Sequence, residues 1–259
     1  MRVPLLLLSA FPLCLYGKPT PKAQAFDFAS VKYVYAFGDS YSFVQGIAGH
    51  ANFRLKLGRH SIFTIDDTDI SSKPPSIKLE FLTGCFEGLP AQCEKQLWDF
   101  AFAGADIDAT ILPRHHDFTL QLVEQVDQWV QFASEVVPHP DNETLTAWWI
   151  GINDTGDSMN NASITDFAAF WEKEITSYFS AVQLAHDNGL KTHLFINVPP
   201  GDRSPIWLTR TDASVIRSHI QLYNQVLAEH SEDFASRNPG ETWLSVYAPI
   251  ILTHVTTGR

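Results

Sequence analysis

The sequence predicts an α/β protein, an open doubly wound parallel sheet of about five strands between two helical layers. Three observations lead there. Strand-like and helix-like segments alternate along the chain. The strand candidates are almost continuously apolar, as parallel strands covered on both faces must be. No internal repeat, low-complexity tract or long linker interrupts them, so residues 26–259 read as one domain. Right-handed crossovers then leave the doubly wound arrangement as the favoured one.

Each element has its own signal. Val31 to Phe37, β-branched and aromatic, is the first strand, and Leu97 to Phe102 the second. From Phe118 to Val137, Leu122, Val126, Trp129, Ala133 and Val136 recur at spacings of three and four, which predicts an amphipathic helix with those side chains inward. "TLTAWWI", ending at Ile150, is a buried strand. The next helix is expected over Ile164 to Asn188, with Phe167, Trp171, Ile175, Tyr178, Val182 and Ala185 inward. Ser163 and Asp166 have capping-box spacing at its start, and Gly189 is placed to end it. "KTHLFINV" is a fourth strand, Ala213 to Ser236 a further helix closed by Asn238-Pro239-Gly240, and "TWLSVY" a fifth strand.

Residues 1–25 read differently. Arg2 precedes an apolar run from Val3 to Tyr16, and "AQA" at Ala23 to Ala25 has the small-x-small pattern of a signal-peptidase site. A secretory signal is expected, cleaved somewhere between residues 17 and 25, because the run is too short to span a bilayer. The mature protein is expected to be soluble, extracellular and monomeric. With Lys+Arg 18 against Asp+Glu 29, the net charge is −11 and no basic block is present, so nucleic acid is not an expected partner. Cys14 would leave with the signal, and in an oxidising compartment Cys85 and Cys93 favour a local disulfide. Neither has the spacing of a zinc site.

Parallel sheets of this kind place ligands beyond the carboxyl ends of their strands. After the first strand comes Gly38-Asp39-Ser40-Tyr41, either a nucleophile at a strand end or a turn capped by Asp39 or Ser40. After the second comes "AFAGADID", where Gly104 could expose a backbone N–H or could simply turn the chain. After the third comes Gly151-Ile152-Asn153-Asp154, in which the Asn153 carboxamide either bonds the local backbone or reaches a developing oxyanion.

Taken together, these three blocks resemble those of the SGNH hydrolases, also called the GDSL esterase family. "LWDFAFAGADID" and "FINVPPGDRSP" are similar to segments of secreted fungal members, particularly the branch grouped with the acetyl esterases of carbohydrate esterase family sixteen. The resemblance reaches to about Tyr247 and implies a flavodoxin-like fold and a serine esterase acting on acetylated carbohydrate or another small ester. It further implies Ser40 as nucleophile, and an oxyanion hole from the N–H groups of Ser40 and Gly104 and the amide of Asn153. It implies neither metal nor organic cofactor. A catalytically silent carbohydrate-binding relative and a lipid acylhydrolase are the alternative readings.

The family's general base is the histidine of a D-x-x-H block. None of the ten histidines here has an acid three residues earlier. Loss of such a base costs on the order of a million-fold in turnover, about 8 kcal/mol. The expectation is therefore a chain cut short before that block and poorly active as it stands. "SSKPPSIKLEFLTGC" also lacks the Gly-Gly-Pro-Asn-Trp-like stretch of fungal members. His254 and the His115-His116-Asp117 segment are candidate substitutes, the latter better read as a solvated loop. Asn142 and Asn161 are expected to carry glycans; Asn153 also heads a sequon but is expected to be unmodified.

Overall fold

The computed structural model describes residues 26–43, 78–85, 90–203, 212–239 and 242–246. The expected signal peptide, His50, His60, His254 and the segment after the fifth strand lie outside the described residues.

Five strands form one parallel sheet: β1 Tyr33–Gly38, β2 Gln96–Asp99, β3 Thr144–Trp149, β4 Thr192–Ile196 and β5 Thr242–Val246. Their spatial order is β2-β1-β3-β4-β5, with every pair parallel. This is a doubly wound order whose reversal lies beside β1. The helices are α1 Lys78–Thr83, α2 Leu122–Phe132, α3 Ile152–Ser158, α4 Phe167–Asp187 and α5 Ala213–Arg237.

Period-two alternation sorts the strand side chains between two layers. Tyr35, Phe37, Trp148 and Phe195 face α2, α4 and α5, which pack side by side on that face. Phe37 stacks between Trp148 and Phe100, at centroid distances of 4.7 and 5.2 Å. Each such fully buried large side chain is worth roughly 1.5–3 kcal/mol relative to exposure. On the opposite face Val34, Ala36, Leu97 and Leu145 meet Leu79 of α1 and Cys85. Cys85 and Cys93 are joined in a disulfide, which staples α1 to the approach to β2.

Several expected boundaries move, for local reasons. The helix expected from Phe118 begins at Leu122, because the preceding turn is spent on bonds to another loop: Leu122 N–H donates to Asp106 O at 2.9 Å. It ends at Phe132, so Val136 falls in a turn and points to solvent, 75% exposed, while Val137 takes the buried place. The fourth helix is capped by Asp166, whose carboxylate accepts from the N–H groups of Ala168 and Ala169. Ser163 instead bonds Asn161, so the expected capping box does not form. Gly189, at φ 109°, does follow the helix end. The second strand stops at Asp99 rather than Phe102.

Gly151 carries the chain from β3 into α3. Its φ is 114°, and a Cβ there would stand 2.3 Å from the Tyr223 ring. The hydroxyl of Tyr223 donates to Ile150 O at 2.9 Å, fixing the ring under the turn that opens α3. Gly151→Ala should therefore cost on the order of 2–4 kcal/mol from left-handed backbone strain and overpacking. A urea titration should show the lower midpoint; an unchanged midpoint would mean that neither ring nor turn resists.

Candidate active site

The three residues flagged by the sequence lie at the carboxyl ends of three adjacent strands. β1 pairs with both β2 and β3, and Gly38 stands in register with Trp149. Asp39 N–H donates to Trp149 O at 3.1 Å, and Phe102 N–H to Gly38 O at 2.9 Å. The chain leaving β1 is thus tied on both sides, with Ser40, half-buried, just beyond the ties. A Cβ on Gly38 would stand 2.0 Å from Trp149 O, so no other residue fits that register.

Asp39 then turns the chain. Its carboxylate accepts from Tyr41 N–H at 2.9 Å, and its carbonyl from the N–H groups of Ser42 and Phe43. The Tyr41 ring stacks on Trp149 at 4.9 Å, which closes one side of the serine turn. The N–H of Ser40 has no acceptor among the described residues, and neither does that of Gly104, held at φ 80°. A backbone N–H without a protein acceptor is open to water or to a bound oxygen.

Asn153 comes from an element that the sequence pattern does not announce. The G-x-N-D block does not extend a strand end; it forms the first turn of α3. The Asn153 carboxamide donates one N–H to Ala105 O at 2.8 Å, next to Gly104. Its second amide hydrogen has no acceptor among the described residues. Asp154 turns inward and accepts Ile107 N–H at 2.8 Å. The Gly104 loop and the head of α3 are therefore clasped by two side chains in succession.

Two buried glutamines, on which the sequence is silent, hold the same region. Gln125 of α2 accepts Gly38 N–H and donates to Gly38 O, each at 2.9 Å. Gln121 accepts Asp106 N–H at 2.7 Å. Both are at 0% exposure. Their one sequence signal is their place on the apolar face of the α2 pattern.

Behind the loop lie Asp106, Asp154 and Glu174, all wholly buried. Burial raises the pKa of each above the ordinary carboxylate range, and the neighbouring acids raise it further. Both Glu174 oxygens and one oxygen each of Asp106 and Asp154 have no hydrogen-bond partner among the described residues. The group stays protonated in large part, since three charges this close cannot share a dry interior.

His115 borders the site as well. Its ring carbon Cδ2 would meet a Cβ on Gly104 at 3.3 Å, and its Nδ1 lies 2.6 Å from Asp157 Oδ2. Among the described residues no cluster of His, Cys, Asp and Glu could hold a metal ion, and no helix is long and apolar enough to cross a membrane.

No protein-family model matches the chain. An acetylesterase of Thermothelomyces thermophilus is 29% identical to it over 154 residues, 56% of this chain and 49% of the relative. The chain thus spans about half the length of that curated relative and is its distant homologue.

The buried acids set a pH dependence. Their folded pKa values exceed the unfolded ones, so the stability they hold is complete below about pH 4 and falls as pH rises toward the raised values. Glu174→Gln should flatten the decline in melting temperature between about pH 5 and pH 8. Scanning calorimetry across that range decides it: parallel slopes for both proteins would mean that Glu174 ionises normally.

Proposed function

We propose that this chain is a secreted serine carboxylic-ester hydrolase of the SGNH type, acting on acetyl esters of carbohydrate. The observation that supports the reading is that Ser40, Gly104 and Asn153 follow the carboxyl ends of three adjacent strands, β1, β2 and β3, with the Asn153 amide bonded to Ala105 O next to Gly104. The distant relationship to an acetylesterase and the doubly wound sheet support the same chemistry and the SGNH-type fold.

The chemistry comes from the parts. Ser40 Oγ attacks the ester carbonyl, whose oxygen becomes negative as its carbon turns tetrahedral. The Ser40 N–H, the Gly104 N–H and the free Asn153 N–H are donors for that oxygen. Collapse expels the alcohol and leaves an acetyl group on Ser40, which water then removes. The hydrogen bond from Asn153 to Ala105 O keeps the amide from rotating away. Pre-orientation of this kind matters because a donor aimed in advance loses no reorganisation energy when charge appears.

Two variants test the reading. On an aryl acetate, Ser40→Ala should abolish turnover. Asn153→Ala should lower kcat by roughly 10²–10³-fold with little change in KM, because its bond strengthens only as charge develops. Activity that persists in Ser40→Ala would place the reaction elsewhere. A KM effect alone for Asn153→Ala would make it a binding group.

A further inference from the structure

The backbone N–H groups of Ser40 and Gly104 are the donors proposed above for one oxygen. They belong to different loops, one leaving β1 and the other leaving β2. One oxygen accepts from both only if the separation of the two loops is closely held. A single turn at the start of α2 grips both loops.

Gln125 accepts Gly38 N–H and donates to Gly38 O, each at 2.9 Å. Its second amide hydrogen goes to Leu120 O at 3.0 Å, so the whole carboxamide is committed and cannot rotate. One turn earlier, Gln121 accepts Asp106 N–H at 2.7 Å, and Leu122 N–H donates to Asp106 O at 2.9 Å. Gln125 N–H donates to Gln121 O at 3.0 Å, which places both grips on one closed helical turn. Residues 121–125 therefore bind both backbone groups of Gly38 and both of Asp106. Gly38 lies two residues before Ser40, and Asp106 lies two residues after Gly104.

The chain between each grip and its donor is itself tied. From Gly38 to Ser40 it passes Asp39, whose N–H donates to Trp149 O and whose carbonyl accepts from Ser42 and Phe43. From Asp106 back to Gly104 it passes Ala105. The Ala105 N–H donates to Phe102 O at 3.1 Å, and its carbonyl accepts the Asn153 amide at 2.8 Å. A displacement at Gly38 or Asp106 is thus passed on toward the donor. Apolar contact alone, as Val126 and Trp129 make on the same helix, would leave the loops free to slide against it. Fully bonded buried carboxamides fix one arrangement.

We infer that Gln121 and Gln125 are positioning residues for ester hydrolysis, which set the separation of the Ser40 and Gly104 N–H groups. The inference rests on the ester-hydrolase reading. Both side chains are wholly buried, so they act through the loops and not by contact with an ester. Their effect belongs to the step in which charge develops on oxygen, not to binding of the neutral ester. A misplacement of about 1 Å caused by a residue away from the reacting atoms costs on the order of 10²-fold.

The test is aryl-acetate hydrolysis by residues 1–259, with the reactive serines counted by a fluorophosphonate and folding checked by urea titration. Gln125→Leu and Gln121→Leu should each lower kcat per counted serine by about 10–10²-fold, with KM within about threefold. Inhibition by phenylboronic acid, whose adduct is tetrahedral, should weaken by the same factor as kcat. Loss of fold would instead lower the number of counted serines. Gln225→Leu removes an exposed glutamine bonded to Glu229 on α5 and should leave turnover unchanged. Where a leucine variant does not fold, Gln125→Asn or Gln121→Asn withdraws the carboxamide by one methylene, and the same loss is expected. A kcat per counted serine within about threefold of wild type in these variants overturns the inference and leaves the ester-hydrolase reading intact. So does a loss carried by KM alone. A wild-type chain that neither turns over nor is labelled at Ser40 overturns the reading itself, and the inference with it.

Discussion

The carboxyl edge of the sheet depends on the grip of one buried carboxamide on Gly38. Gln125 satisfies both backbone groups of that glycine while β3 holds it in register, and Trp149 O leaves no space for a side chain. Hydrogen bonds of this kind contribute only about 0.5–1.5 kcal/mol net, yet leaving a buried partner unmatched costs roughly 1–3 kcal/mol. The asymmetry makes Gln125 far harder to lose than its bonds suggest. Removing it would strand the Gly38 N–H two residues from Ser40. The serine turn is rigid because its foundation has no cheap alternative arrangement.

The same helix organises the neighbouring loop. Gln121 and the N–H of Leu122 hold the backbone of Asp106, while Asn153 and Asp154 reach across from α3 to Ala105 and Ile107. Residues 104–107 are thus held from both sides by groups from two helices, and their own backbone is left with little freedom. Gly104 stands at the open end of this clasp, where its N–H has no partner among the described residues and His115 lies alongside.

The strands are legible in the sequence because parallel strands buried on two faces must be apolar nearly throughout, and Val34 to Phe37 and Leu145 to Trp149 are. Helical periodicity gives the inner faces of α2 and α4 correctly as far as each helix runs. It fails at Val136 because the helix has already ended, and a period says nothing of where it stops. α3 escapes notice since Ile152–Ser158 is too short and too polar to show an apolar stripe. Gln121 and Gln125 are unreadable for a different reason. A buried polar residue is explained by a partner distant in sequence, and no local pattern names that partner. His115 stands in a segment that reads as a solvated loop, since its tie to Asp157 spans 42 positions.

The buried acids bear on the site as much as on the fold. An ionised carboxylate about 6 Å from a developing oxyanion would oppose it by roughly 3 kcal/mol at an effective dielectric of about 20. That would cancel most of what a single oxyanion donor supplies, about 3–4 kcal/mol. Asp106 and Asp154 sit directly behind the loop that presents Gly104, in a protein with a net charge of −11. Burial eases the conflict by raising the pKa of Asp106 to about 10 and that of Asp154 to about 7, which disfavours charge on the acids behind this loop. The cost falls on stability as pH rises. The gain is a loop backbone held by the Asp154 carboxyl, whose raised pKa lessens its repulsion of a negative oxygen at the proposed site.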